Sequence, residues 1–162
     1  MEARFLDPKQ RFKLIYGTEG VLRETVLVSP DSIPSNGACD GIFLSYGGND
    51  EITGKPLWVL ADKVAPAYPV LEAKIQTDGM AVEPGYVAVT IARGVVPAIV
   101  RLDCVVFVAD DADYPTAPAL GQRLKVVDGQ LTPVALDGSE DHLAVAIIEQ
   151  IHPTHIVIVK LY

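Results

Sequence analysis

Turn-forming clusters recur through this chain too often to leave room for long helices. SPDSIPSNG, YGGND, TDG, EPG and DADYPTAP interrupt it, and helical periodicity does not persist beyond a turn or two. Between the interruptions lie RFKLIY, VLRETVLV, GIFLSY, PLWVLA, VLEAKIQ, YVAVTIA, VVPAIVRL, CVVFVA, HLAVAIIEQI and THIVIVKLY, all short and rich in branched or aromatic residues. This punctuation predicts an all-β fold, a barrel or sandwich of short strands joined by tight hairpins. One helical turn fits within 62–69, limited by Pro66 and Pro69. Gly47-Gly48 reads as another hairpin turn.

The sharpest local signal is LKVVDGQLTP. Asp128-Gly129 suits a two-residue type I′ turn, whose central positions both need positive φ. Such a loop pairs Val127 with Gln130, Val126 with Leu131 and Leu124 with Pro133. Leu124, Val126, Leu131 and Pro133 then share one face, while Arg123, Lys125, Gln130 and Thr132 mostly take the other. Pro133 cannot donate to a ladder, so the second strand should lie at an edge or end there. Further on, IVIVKLY is apolar on both faces, which predicts a central strand covered on both sides.

With 162 residues, a single domain of 17–162 preceded by an extended arm of 1–16 fits the length. Hydrophobic residues make up 49% of the chain although its formal charge is −8, and that excess of apolar surface points to subunit contacts. The acidic balance argues against direct nucleic-acid binding, which needs a basic footprint. Charge is unevenly placed, however. Arg4, Lys9, Arg11 and Lys13 outweigh Glu2 and Asp7, so the first stretch suits either an arm reaching onto an acidic neighbour or a solvated tail. No apolar run approaches the roughly 18 residues that cross a bilayer, and the first residues lack the apolar centre of a signal peptide. The expectation is therefore no membrane and a cytoplasmic origin. Cys39 and Cys104 are read as reduced thiols, Cys104 within a buried strand.

Catalytic patterns are weak. His152 and His155 in HPTH could converge on a metal only across a tight turn at Pro153-Thr154; His142 lies nearby. Asp110, Asp111 and Asp113, like the later DGSED, read as solvated turns without calcium-loop spacing. Nucleophile elbow, phosphate loop and dinucleotide fingerprint are all missing from the sequence. YVAVTIARGVVPAIVRLD departs in order and spacing from the motifs of trimeric dUTPase-type hydrolases. No enzyme activity and no cofactor are expected.

The C-terminal portion resembles the capsid decoration (cement) proteins of tailed bacteriophages. Leu120-Gly121, Leu124, Asp128-Gly129, Leu131, AVAIIEQI and IVIVKLY carry the resemblance, with ARGVVPAIVRL upstream. It covers about the last two-fifths of the chain. The resemblance implies a β-tulip-like domain on the outside of a phage head, assembled in the host cytoplasm and binding the major capsid protein and itself. Homotrimers are the expected form, although dimers also occur. The arm is the implied contact: Arg4, Phe5, Leu6, Lys9, Arg11, Phe12, Lys13 and Tyr16. Other virion subunits, of the tail tube or the head–tail joint, usually carry a helix packed on the sheet, and this chain shows none. A carbohydrate-binding module needs exposed aromatics, whereas Trp58 reads as buried.

Overall fold

The structure is a computed structural model that describes residues 12–14, 22–28, 41–51, 54–72, 87–93, 97–101, 105–107, 111–152 and 155–160. Among them the fold is all-β. Eleven strands are present: β1 (Phe12–Leu14), β2 (Leu22–Val28), β3 (Phe43–Asn49), β4 (Pro56–Leu60), β5 (Tyr68–Glu72), β6 (Val87–Arg93), β7 (Pro97–Arg101), β8 (Arg123–Val127), β9 (Gln130–Pro133), β10 (Ala146–His152) and β11 (His155–Lys160). The one helical element among the described residues is a 3₁₀ turn, Asp141–Leu143.

Six strands form an antiparallel sheet in the order β1-β7-β11-β10-β8-β9. The other five pair in the order β2-β4-β3-β5-β6, and β6 pairs back with β2, so this ladder returns to its start. The β2–β4 pairing is parallel, at Leu27↔Leu57 and Val28↔Trp58, and the rest of this five-stranded unit is antiparallel. β11 is interior to its sheet, as expected, and on one of its faces Ile156 and Ile158 are fully buried.

The hairpin β8–β9 has the expected register, Leu124↔Pro133, Val126↔Leu131 and Val127↔Gln130, with φ of +49° at Asp128 and +78° at Gly129. β9 lies at the sheet edge and ends at Pro133. The tip of this hairpin also joins the two units. Phe43 N–H donates to Gly129 O (2.9 Å), Gly129 N–H to Ala61 O (2.7 Å) and Lys63 N–H to Val126 O (2.7 Å). A Cβ on Gly129 would stand 2.3 Å from Leu60 Cδ1 and 3.0 Å from Ile42 Cγ2. Glycine is therefore required twice there, for the left-handed backbone and for the close approach.

Two cores follow from the alternation along β3. Phe43 points into the core of the six-stranded sheet with Leu124, Val126, Leu131, Ala146, Ile148, Ile156 and Ile158. Its neighbours Ile42 and Leu44 point the other way, to Val26, Val28, Trp58, Val70 and Ile91. Each large side chain so buried contributes about 1.5–3 kcal/mol. Burial of Trp58, 4% exposed, matches its sequence reading.

Lys125 and Thr132 take the opposite face of the hairpin, as expected; they pair with each other and are 3% and 7% exposed. Several expectations need correction. Gly47-Gly48 lies within β3, where the β3–β4 register shifts between Tyr46 and Asn49, so the pair makes a bulge instead of a turn. Val59 Cγ1 would lie 2.7 Å from a Cβ at Gly47. Residues 62–69 hold no helical turn; Lys63 has φ +50°, and β5 starts at Tyr68. Of CVVFVA, Val105 forms a single parallel bridge to Leu131. In HLAVAIIEQI the strand begins only at Ala146. Cys39 and Cys104 lie outside the described residues.

Candidate docking surface

On the second face of β8, Lys125 is a buried cation, and an uncompensated charge there would cost several kcal/mol. Its Nζ donates to Glu140 Oε2, lies 3.4 Å from Tyr114 Oη and sits 4.9 Å from the centroid of the Tyr114 ring. Tyr114 Oη donates to Glu140 Oε1 (2.7 Å), and Ala135 N–H donates to the same oxygen (3.0 Å). Burial pushes the Glu140 carboxyl up, but Lys125, Tyr114 and the Ala135 amide outweigh it and hold the group below its usual range. The hydrogen bond to Glu140, helped by desolvation, holds the Tyr114 proton and raises its pKa. DGSED is therefore not simply a solvated turn, since Glu140 reaches inward to the hairpin.

This network gathers two loops. Leu136 N–H donates to Asp113 O (2.9 Å), and Val134 N–H to Arg123 O (3.1 Å). Between the loops opens a groove of about 430 Å³, lined by Pro115, Ala119, Leu120, Val134, Ala135 and Leu136. Leu120 is 69% exposed and Leu136 66%, the highest values among the described large apolar side chains. Arg123 and Asp141 stand at its rim, 3.9 Å apart and half-exposed, a pair worth little by itself. Around it, Asp113 N–H donates to Asp111 Oδ1 and Ser139 N–H to Asp137 Oδ1. The Ser139 hydroxyl and amide lower the pKa of Asp137.

A second concavity, of about 580 Å³, lies on the five-stranded unit between Tyr46, Trp58, Tyr68, Pro56 and Pro66. Trp58 meets both tyrosines edge to face, with centroids 6.2 Å and 5.7 Å apart. Tyr46 is 56% exposed and donates to Asn49 Oδ1 (2.6 Å).

Of the arm residues, Phe12 and Lys13 lie on β1, opposite Val100 and Ile99 of β7, so the sheet takes in part of the stretch. Arg4, Phe5, Leu6, Lys9, Arg11 and Tyr16 lie outside the described residues, as does Asp110. His152 and His155 occupy opposite positions at the β10–β11 turn, and His142 is exposed on the 3₁₀ turn. Among the described residues no group of three or more His, Cys, Asp or Glu is placed to hold a metal ion, and no helix is long and apolar enough to cross a membrane.

Sequence reasoning missed Lys125, Glu140, Tyr114, Leu120 and Leu136. The available signals were a lysine between apolar neighbours on a strand and two leucines stranded among turn formers, in APALGQ and VALDG. No protein-family model, curated protein or solved structure matches the chain.

Proposed function

We propose that the chain is a structural virion protein of the phage capsid decoration class, β-tulip-like in architecture. It binds the outer surface of the head and cements neighbouring major capsid protein subunits, acting as a homotrimer in preference to a dimer. One observation carries the reading beyond the sequence. The most exposed large apolar side chains of the described residues, Leu120 and Leu136, share one groove, apart from the buried cluster of the six-stranded sheet. Such a surface suits holding a partner, and a few well-packed anchors set the strength of the hold. Oligomerisation multiplies modest shell contacts through effective concentration. The basic, partly aromatic N-terminal stretch supplies a contact to a partner subunit, with no cofactor and no nucleic acid involved.

The test is co-sedimentation with emptied, expanded heads. Wild-type protein binds, and deletion of residues 1–12 leaves a folded body with reduced occupancy. Unchanged occupancy after the deletion refutes the reading. Labelling at the tail tube or head–tail joint in place of the shell would favour another virion subunit.

A carbohydrate-binding module is supported by the Tyr46–Trp58–Tyr68 concavity. Trp58 is its buried floor, which leaves Tyr46 as the exposed ring for stacking on a sugar. Glycan binding that is lost in Tyr46→Ala would favour that reading.

A further inference from the structure

We infer that residues 1–11 of one copy occupy the Leu120–Leu136 groove of a second copy. The inference rests on reading the protein as a self-associating virion subunit and names what fills the groove.

Charge is the first argument. The loops that form the groove carry Asp111, Asp113, Asp137, Glu140 and Asp141, against Arg123 and Lys125. Lys125 is buried on Glu140, and Arg123 stands beside Asp141. That leaves Asp111, Asp113 and Asp137 on these loops in no ion pair with a described cation, while the groove's own lining holds Arg123 beside Asp141. The N-terminal stretch has the complementary chemistry. Residues 1–11 carry Arg4, Lys9 and Arg11 against Glu2 and Asp7, an excess of one positive charge in a chain whose net charge is −8. Phe5-Leu6 lies within this stretch, an apolar pair of the size that fills a groove between two leucines. The opposed fields steer the segment to the groove, and the apolar pair holds it there.

Topology is the second argument. β1 and β9 are opposite edges of the same six-stranded sheet. Phe12, which follows the segment in sequence, therefore lies on one edge strand, and the groove adjoins the other. A contact joining unlike surfaces of identical copies is heterologous, and it closes into a ring when the rotation allows. A cyclic trimer is one such ring.

The experiment uses the isolated protein without heads, in sedimentation velocity. Two variants each remove one half of the contact: a deletion of residues 1–11, and Leu120→Asp with Leu136→Asp. Because both leucines are exposed, the second variant keeps its core, and circular dichroism with a thermal melt checks this. Wild type sediments as an oligomer whose association weakens with added salt. Each variant alone is monomeric, with association weakened about tenfold or more. Mixed in equal amounts they form a one-to-one heterodimer, because one supplies an intact arm and the other an intact groove. A mixture that stays monomeric overturns the inference. So does either variant oligomerising like wild type, or a monomeric wild type whose own arm protects the groove. Loss of head binding by a protein that still passes this test contradicts the decoration reading and leaves the inference standing.

Discussion

At its centre β8 is buried on both faces, yet by different chemistry. Leu124 and Val126 on one face are fully enclosed by apolar neighbours from both units of the fold. Lys125 on the other is enclosed by a carboxylate, a phenol and the backbone of two loops. The apolar face tolerates many sequences, since burial is non-directional. On the polar face each partner must stand at a set distance, and the loss of one strands the others. The apolar face holds the molecule together, while the polar face fixes the loops that shape its exposed groove.

The contrast breaks first at Glu140. Glu140→Ala leaves Lys125 buried without its carboxylate and is expected to cost about 3–5 kcal/mol in urea unfolding. Lys125→Met combined with Glu140→Leu removes both charges and should restore most of that stability. A single variant within 1 kcal/mol of wild type would mean that the polar face is as tolerant as the apolar one. Next comes the hairpin tip. Gly129→Ala forces a methyl group against Leu60 at positive φ, for an expected loss of about 1–3 kcal/mol, read as a lower urea midpoint. Tyr114→Phe, which removes one hydrogen bond to Glu140, should lower the urea midpoint by less than Gly129→Ala does.

The smallest effect concerns pH. Because the Glu140 pKa is lowered in the folded state, its contribution is complete above the unfolded carboxylate value of 4.5. It is lost as pH falls from there through the lower folded value. Asp137 acts in the same sense. Tyr114, raised from 10.0, keeps its contribution below that value and loses it as pH rises through the higher folded pKa. Thermal melts between pH 7 and 3 should therefore show a smaller decline in Glu140→Gln than in wild type. Parallel declines would remove Glu140 from the acid response.

What the sequence made legible was local. Asp128-Gly129 and the flanking alternation determine their own turn and register without distant help. The interior place of β11 could be read because apolarity on both faces has few other uses in a strand. The buried Lys125 was illegible because Glu140 is 15 residues away and Tyr114 is 11, both on loops whose paths alternation does not describe. Gly47-Gly48 misled because the same freedom serves a turn or a bulge, and only the partner strand decides between them. The groove was hidden for a related reason. Leu120 and Leu136 belong to no periodic run, and only the folded loops bring them together.

The most direct measurement is head binding by the Lys125→Met, Glu140→Leu variant, compared at matched stability with wild type. If the polar face exists to shape a surface that holds a partner, this variant remains folded and loses occupancy on emptied, expanded heads. Full occupancy in a stable variant would contradict the account.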